Sequence, residues 1–341
     1  MNHKRVTIRD VAEAAKVSTQ TVSRVANNHP DVAAKTREHV KAVINQLGYQ
    51  PNKIARSLIQ GQSYSLGVIS YGLSFLGPSL VLEGIQEAAV QAGYSLMLHI
   101  LSDAEDFNAE KVLREILSYQ VDGIVWAVPE IGQNQDWIHQ ALYNISVPIV
   151  FLNVHPRPNL VTAVIDNKHG GRIATQHLID QDRHKIGIIT GPMNWREARQ
   201  RELGWREALA ENNRAVDESY IANGDWSPSS GERSIRMLLD WHPEIDAVFV
   251  CNDQMALGAM KAAQQMGRRI PQDLAIVGFD DIPEAPYFSP ALSTVRQDVT
   301  EMGYQGVQQL LAMINNGDDA PIPAVMLQPE LIVRESSVNI T

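Results

Sequence analysis

The chain has 341 residues, 44% of them apolar and 20% charged, with a net charge of −10 and a single cysteine. That is too long for one ordinary core, so more than one domain is expected, and no apolar run is long enough to cross a membrane. One cysteine excludes an intramolecular disulfide framework, and the start MNHKRVTIRDVAEAAK lacks the apolar stretch of a signal peptide; a cytoplasmic protein is the expectation.

The charge is unevenly placed. Residues 1–60 hold ten Lys/Arg against four acids, a net of +6, whereas the rest of the chain carries −16. A basic head can attract phosphate while an acidic body avoids non-specific adhesion. Within the head, Thr7 can cap a helix with Asp10 in a capping-box role, and Ile8, Val11, Ala12 and Ala15 make its apolar stripe. After the break AKVS, Ser18 can cap a second helix, TQTVSRVAN, with Val22 and Val25 inward. A third helix is expected over about 35–47, with Val40, Val43, Ile44 and Leu47 as its core face and Gly48 as its stop. Two short helices joined by a tight break and buttressed by a third make an all-α helix-turn-helix DNA-binding domain over 1–49.

Exposed residues of the second helix would read double-stranded DNA. Thr19, Gln20 and Arg24 can reach base edges: Arg pairs bidentately with guanine, Gln with adenine, and the Thr methyl touches thymine. Ser18, Thr21, Ser23 and Asn27 suit phosphates, which set register. Gln20 and Arg24 are the sharpest candidates. Next, Tyr49-Gln50-Pro51 breaks the chain, and 50–62 reads either as a plain linker or as a short helix from Asn52 that forms on DNA. In the second case it would offer Ala55 and Leu58 to the minor groove.

From residue 63 to 338, β-rich apolar runs at 65–70, 94–101, 123–128, 148–154, 185–190, 247–251 and 274–279 alternate with helical patterns. Those patterns include 79–92, 108–119, 169–181, 196–212, 229–240 and 254–266. Such alternation builds parallel sheets covered on both faces, and this length fits two α/β lobes better than one. In open α/β sheets ligands bind beyond the carboxyl ends of strands. That rule selects Tyr71, Asn153, Asn252-Asp253 and Asp280, while Arg201 after GPMNW and Trp226 in NGDWSPSSG offer a forked donor and an aromatic platform for a sugar. Asp253 could instead cap the helix that follows it. Cys251, on an apolar run, reads as a packed core thiol.

Two pairs of strings carry a specific resemblance: VTIRDVAEAAKVSTQTVSRVANN with VAAKTREHVKAVINQLGYQPNKIARSL, and IVGFDDIPEAPYFSPALSTVRQD with LQPELIVRESS. They resemble the LacI/GalR family over nearly the whole chain. The resemblance implies a two-lobed effector domain like that of the type I periplasmic binding proteins. Its lobes would comprise about 63–165 with 296–326, and 166–295 with 327–338, the chain crossing near 165, 295 and 326. It also implies Leu58 as a minor-groove wedge, and Arg201, Trp226, Asn252, Asp280 and Gln297 as effector contacts. The function it implies is a repressor that binds a near-palindromic operator as a homodimer and is released by a small sugar. A ligand-activated regulator is the alternative, a transport-type sugar-binding protein a weaker one.

GDWS and CNDQMALGAM resemble the lactose-responsive members, so a β-galactoside is the first candidate effector. Asn153 stands where those members carry an aspartate and Thr19 where they carry a tyrosine, so neither sugar nor operator need match. The chain stops soon after LIVRESS, without a leucine-heptad tail, which favours a dimer over a tetramer. An enzyme is disfavoured: the chain lacks GxxxxGKS/T, HExxH, GxSxG and CxxC, and its ten histidines are scattered, with His155 and His169 near the expected cleft. No cofactor, metal site or membrane partner is expected.

Overall fold

The computed structural model describes residues 6–26, 29–49, 62–132, 134, 137–138, 145–316 and 323–338. The chain packs as two units, Met1–Tyr64 and Ser65–Thr341. Asn27, Ala55 and Leu58 lie outside the described residues.

The first unit holds α1 (Ile8–Ala15), α2 (Thr19–Ala26) and α3 (Ala34–Leu47). The capping box forms: the Thr7 N–H donates to Asp10 Oδ2 at 2.7 Å and the Asp10 N–H to Thr7 Oγ1 at 3.4 Å. Lys16 in the left-handed region closes α1, and Gly48, φ 65°, closes α3. Val11, Val22, Val25, Val40 and Val43 form a core against which Ile44, Leu47 and Tyr49 pack. The Arg37 guanidinium donates to the His29 carbonyl at 2.8 Å and so ties the α2–α3 loop to α3.

In the second unit, apolar runs become two six-stranded sheets. In chain order it comprises β1 (Ser65–Tyr71), α4 (Leu76–Gln91), β2 (Ser95–Leu101), α5 (Ala109–Ser118), β3 (Gly123–Ala127), β4 (Ile149–Leu152), β5 (Val161–Ile165) and α6 (Asn167–Asp180). After these come β6 (Ile186–Thr190), α7 (Arg196–Glu211), β7 (Ile221–Asn223), α8 (Pro228–Trp241), β8 (Ala247–Val250), α9 (Asp253–Gln265) and β9 (Ala275–Asp280). The last elements are β10 (Ser293–Arg296), α10 (Val299–Asn316), β11 (Val325–Leu327) and β12 (Glu330–Ile332).

The first sheet runs β11-β5-β4-β3-β1-β2 and the second β12-β10-β9-β8-β6-β7. Every pairing is parallel except β10 with β12. Register is fixed by residues such as Val68, Val125 and Val150, which align across β1, β3 and β4. The chain passes between sheets after β5, after β10 and after β11. Lobe cores are dominated by fully buried side chains, Trp205, Phe249 and Phe279 in the second lobe and Phe151 and Ile124 in the first.

The strands at β5, β7, β10, β11 and β12 and the long α10 were not singled out from the sequence. The strands are three to five residues each. Of these, β5 (VTAVI) is a buried apolar run that the sequence reading missed; the other four, of three or four residues, are too short to show a period and hold their places by pairing with neighbours.

Candidate functional site

In both sheets the strand order reverses, between β1 and β3 in one and between β6 and β8 in the other. Loops leaving strands on either side of such a reversal diverge and open a crevice. A cleft of about 800 Å³, its open mouth included, lies there between the lobes. The first lobe contributes Phe75, Asn153 and one end of α10; the second contributes Trp195, Glu197, Arg201, Trp226, Asn252 and Asp280; Gln297 comes from the crossing after β10.

A polar chain runs across the floor. Arg201, on α7 and 4% exposed, donates from Nε to Asn167 Oδ1 at 2.8 Å and from Nη1 to the Cys251 carbonyl. Its guanidinium lies 3.7 Å from the Phe279 ring centre and 3.6 Å from Asp280. Asp280 Oδ1 accepts from Gln297 Nε2 at 2.6 Å. Burial pushes the Asp280 carboxyl up to about 6, against the opposing pull of Arg201 and Gln297.

Asn252 is the cap of α9: its Oδ1 accepts the Met255 N–H at 2.8 Å and its Nδ2 donates to the Trp226 carbonyl at 3.1 Å. This corrects the suggestion that Asp253 caps that helix. Asp253 is fully buried, with Oδ1 accepting from Thr294 Oγ1 at 2.6 Å and Oδ2 from the Ile282 N–H at 2.9 Å. Burial, with Asp280 nearby, raises its carboxyl to about 8. Cys251 is buried and free, and burial pushes its thiol up to about 12.

Aromatic rings form the walls. Trp195 meets Phe75 edge-on at 5.4 Å and Trp226 at 6.0 Å. Gly191 lets Trp226 lie against the chain: a Cβ at 191 would sit 2.1 Å from the indole. Asn153 (φ 58°), Trp226 (φ 71°) and Asp280 (φ 119°) all hold left-handed or rarer backbone, which non-glycine residues adopt at a cost. Such backbone gathered around one cleft shows local geometry subordinated to where these side chains point.

The lobes also touch at the cleft mouth. Buried Glu130, after β3, accepts from Arg157 at 3.0 Å and pairs with Arg196 of α7 at 3.2 Å, while the Arg196 N–H donates to the Glu130 carbonyl at 2.9 Å. Ile131 and Trp195 form a short antiparallel bridge beside this contact. His155, expected near the cleft, belongs to this cluster, donating its N–H to Glu130 Oε2 at 3.1 Å. His169 lies on the first turn of α6, its N–H on the Asp166 cap.

Six of the seven sequence candidates, Asn153, Arg201, Trp226, Asn252, Asp280 and Gln297, come together around the cleft. Tyr71 is absent from the lining; its ring centre lies 6.5 Å from that of Trp195. The sequence reading missed Phe75, Trp195 and Glu197. Phe75 follows β1 and falls under the same strand-end rule that selected Tyr71. Among the described residues no His/Cys/Asp/Glu group could hold a metal ion, and no helix is long and apolar enough to cross a membrane.

At the start of α2, Ser18 Oγ accepts the Thr21 N–H at 3.1 Å and shares a hydrogen bond with Thr21 Oγ1 at 2.9 Å, so both hydroxyls also serve the cap. Thr19, Gln20 and Arg24 are exposed, Thr21 and Ser23 partly so.

Residues 7–52 match the profile of bacterial regulatory proteins of the lacI family, and residues 175–337 that of a periplasmic binding protein-like domain. The chain is 34% identical over 310 residues to the lactose operon repressor of Escherichia coli strain K12, covering 91% of this chain and 85% of that one. It is 35% identical over 339 residues to the HTH-type transcriptional repressor PurR of Haemophilus influenzae strain PittEE, covering 98% and 99%. A crystal structure of the Lac repressor dimer bound to operator and the anti-inducer ONPF matches with a TM-score of 0.88 at 32% identity, covering 98% of this chain and all of that one. A complex of the transcriptional regulator CelR with cellobiose matches at 0.71 and 31% identity, covering 97% and 100%.

Proposed function

This chain belongs to the LacI family of bacterial regulatory proteins, and on that footing we propose that it is a transcriptional repressor whose grip on operator DNA is released by a small sugar held between its lobes. The observation that carries the sugar reading is the cleft itself. Aromatic edges and faces from Phe75, Trp195 and Trp226 flank a connected set of planar polar groups, Arg201, Asp280 and Gln297, with Asn153 contributed by the first lobe. A pyranose has apolar C–H faces and a rim of hydroxyls that each donate and accept, and this cleft complements both.

DNA reading is assigned to Gln20 and Arg24 on bases, with Thr19 beside them and Ser18, Thr21, Ser23 and Asn27 on phosphates; Ala55 and Leu58 of the connecting segment would enter the minor groove. The repressor acts as a homodimer, which places two recognition helices on one near-palindromic site. Exposed apolar side chains suited to such pairing are Leu98 and Ile100, on one face of the edge strand β2, together with Leu257 and Tyr287 on the second lobe. A ligand that binds one lobe arrangement better than another shifts the balance between them, and the sign proposed is loss of operator affinity. A β-galactoside is the first candidate; the likeness to the CelR–cellobiose complex favours a second β-linked disaccharide, cellobiose.

The test is a gel-shift titration on a palindromic duplex selected from a random pool with the full chain, repeated with lactose and with cellobiose. Release of the duplex by either sugar is expected. Tighter binding in sugar would reverse the sign and make the protein a ligand-activated regulator.

A further inference from the structure

The cleft has a charge pattern that binding a sugar in general does not require. Among the described residues lining it, Arg201 is the one cation, against two acids, Glu197 and Asp280. Arg201 is already held by Asn167, the Cys251 carbonyl and Asp280. Arg196, adjacent to Glu197, is turned onto Glu130. A phosphate or carboxylate entering here would lose its hydration, meet two carboxyls and find its one guanidinium engaged, so an anionic ligand is opposed.

Glu197 stands on the first turn of α7, one turn before Arg201, and is 7% exposed. Its Oε2 is buried without a hydrogen-bond partner, and so are Asn153 Oδ1 from the facing lobe and Trp226 Nε1. Leaving such atoms unmatched is costly, so they set strict demands on whatever fills the cleft. Two acceptors and one donor around an aromatic-walled cavity suit a ring of uncharged hydroxyls.

We propose that Glu197 is a specificity-determining residue of the effector site, accepting from hydroxyls of an uncharged glycoside and excluding phosphorylated sugars. The inference rests on the sugar reading of the cleft and narrows it to one chemical class.

Matched pairs test it on the full-length chain: lactose against lactose 6-phosphate, and cellobiose against cellobiose 6-phosphate, by calorimetry and thermal shift. An uncharged member should bind at least ~100-fold more tightly than its phosphorylated partner, as expected when a charge is desolvated without a free counter-charge. Glu197→Gln, equal in size, should weaken the uncharged sugar by about 10-fold or more without lowering the melting temperature of the ligand-free chain. Glu197→Ala should narrow the gap between the members of each pair. Equal or tighter binding of a phosphorylated member, or unchanged affinity in Glu197→Gln, would overturn the assignment while leaving the sugar reading intact. No response to any of the four would contradict the sugar reading and this assignment together.

Discussion

At the residue scale, two side chains separate binding from stability. Arg201 touches the cleft and also bridges Asn167, Cys251 and Asp280. Arg201→Lys keeps the charge but loses the fork, so effector affinity should fall by roughly 10–100-fold, the worth of one or two charge-assisted hydrogen bonds. Calorimetry with the best-binding sugar checks it. Asp253 is the converse case, absent from the cleft lining but fully buried.

The Asp253 carboxyl is raised to about 8 in the folded chain, so below about 4, its ordinary range, it is protonated folded or unfolded and costs nothing. As pH rises towards 8 the unfolded chain gains by ionising and stability declines. Asp253→Asn retains an acceptor for the Ile282 N–H and a partner for Thr294. Melts at pH 5 and pH 8 should show the variant gaining most at pH 8, by up to a few kcal/mol. Any slope it keeps should lie mainly below pH 6, where Asp280 titrates. An unchanged slope would place Asp253's cost elsewhere.

Residue-level legibility tracked backbone context. Asn153, Asn252 and Asp280 follow strands, and a strand end is visible as an apolar run meeting a polar residue. Glu197 opens a helix, and its place in the cleft depends on where the folded lobe sets the start of α7, which local pattern does not encode. Tyr71 also ends a strand, yet it is absent from the cleft lining and packs beside Trp195 instead.

At the element scale, the head stands on caps. Removing the Thr7–Asp10 box by Thr7→Ala should cost about 1 kcal/mol and melt the head earlier, read by amide exchange in α1. On α2, Arg24→Ala should cost about 1–3 kcal/mol of operator affinity and relax preference at one base pair, whereas Ser23→Ala should weaken binding evenly across sequences. A binding-site selection with each variant separates the two. In the body, α7 and the residue before it bring Trp195, Glu197 and Arg201 to the cleft, and Arg196 to Glu130. Glu130→Ala would strand the Arg196 and Arg157 charges, so a loss of about 3 kcal/mol is expected in urea unfolding. The central strands and most of the long helices were legible because each carries its own periodicity; the 18-residue α10 was the exception. The short β7 and β10–β12 were not legible, being defined by the neighbours they pair with.

At the scale of the whole molecule, two lobes are joined by three crossings, and the proposed ligand between them would act by favouring one lobe arrangement over another. The dimer supplies the other half of the account. Ile100→Glu would place a charge on the apolar edge face of β2; sedimentation should then show monomers, with operator affinity falling steeply because two heads no longer bind together. The two-lobed architecture was legible from length and strand–helix alternation; the chemistry of the effector was not, because hydroxyl patterns are read by orientations set only in the assembled cleft.

The most direct measurement follows operator affinity by fluorescence anisotropy while titrating the sugar that most raises the melting temperature of the full chain, in wild type and in Arg201→Ala. The account predicts a fall of about 5–150-fold in the wild type, the usual range of coupling between two sites, and a flat line in the variant at the same concentrations. An operator affinity in the wild type that stays constant while the sugar saturates the cleft would contradict it.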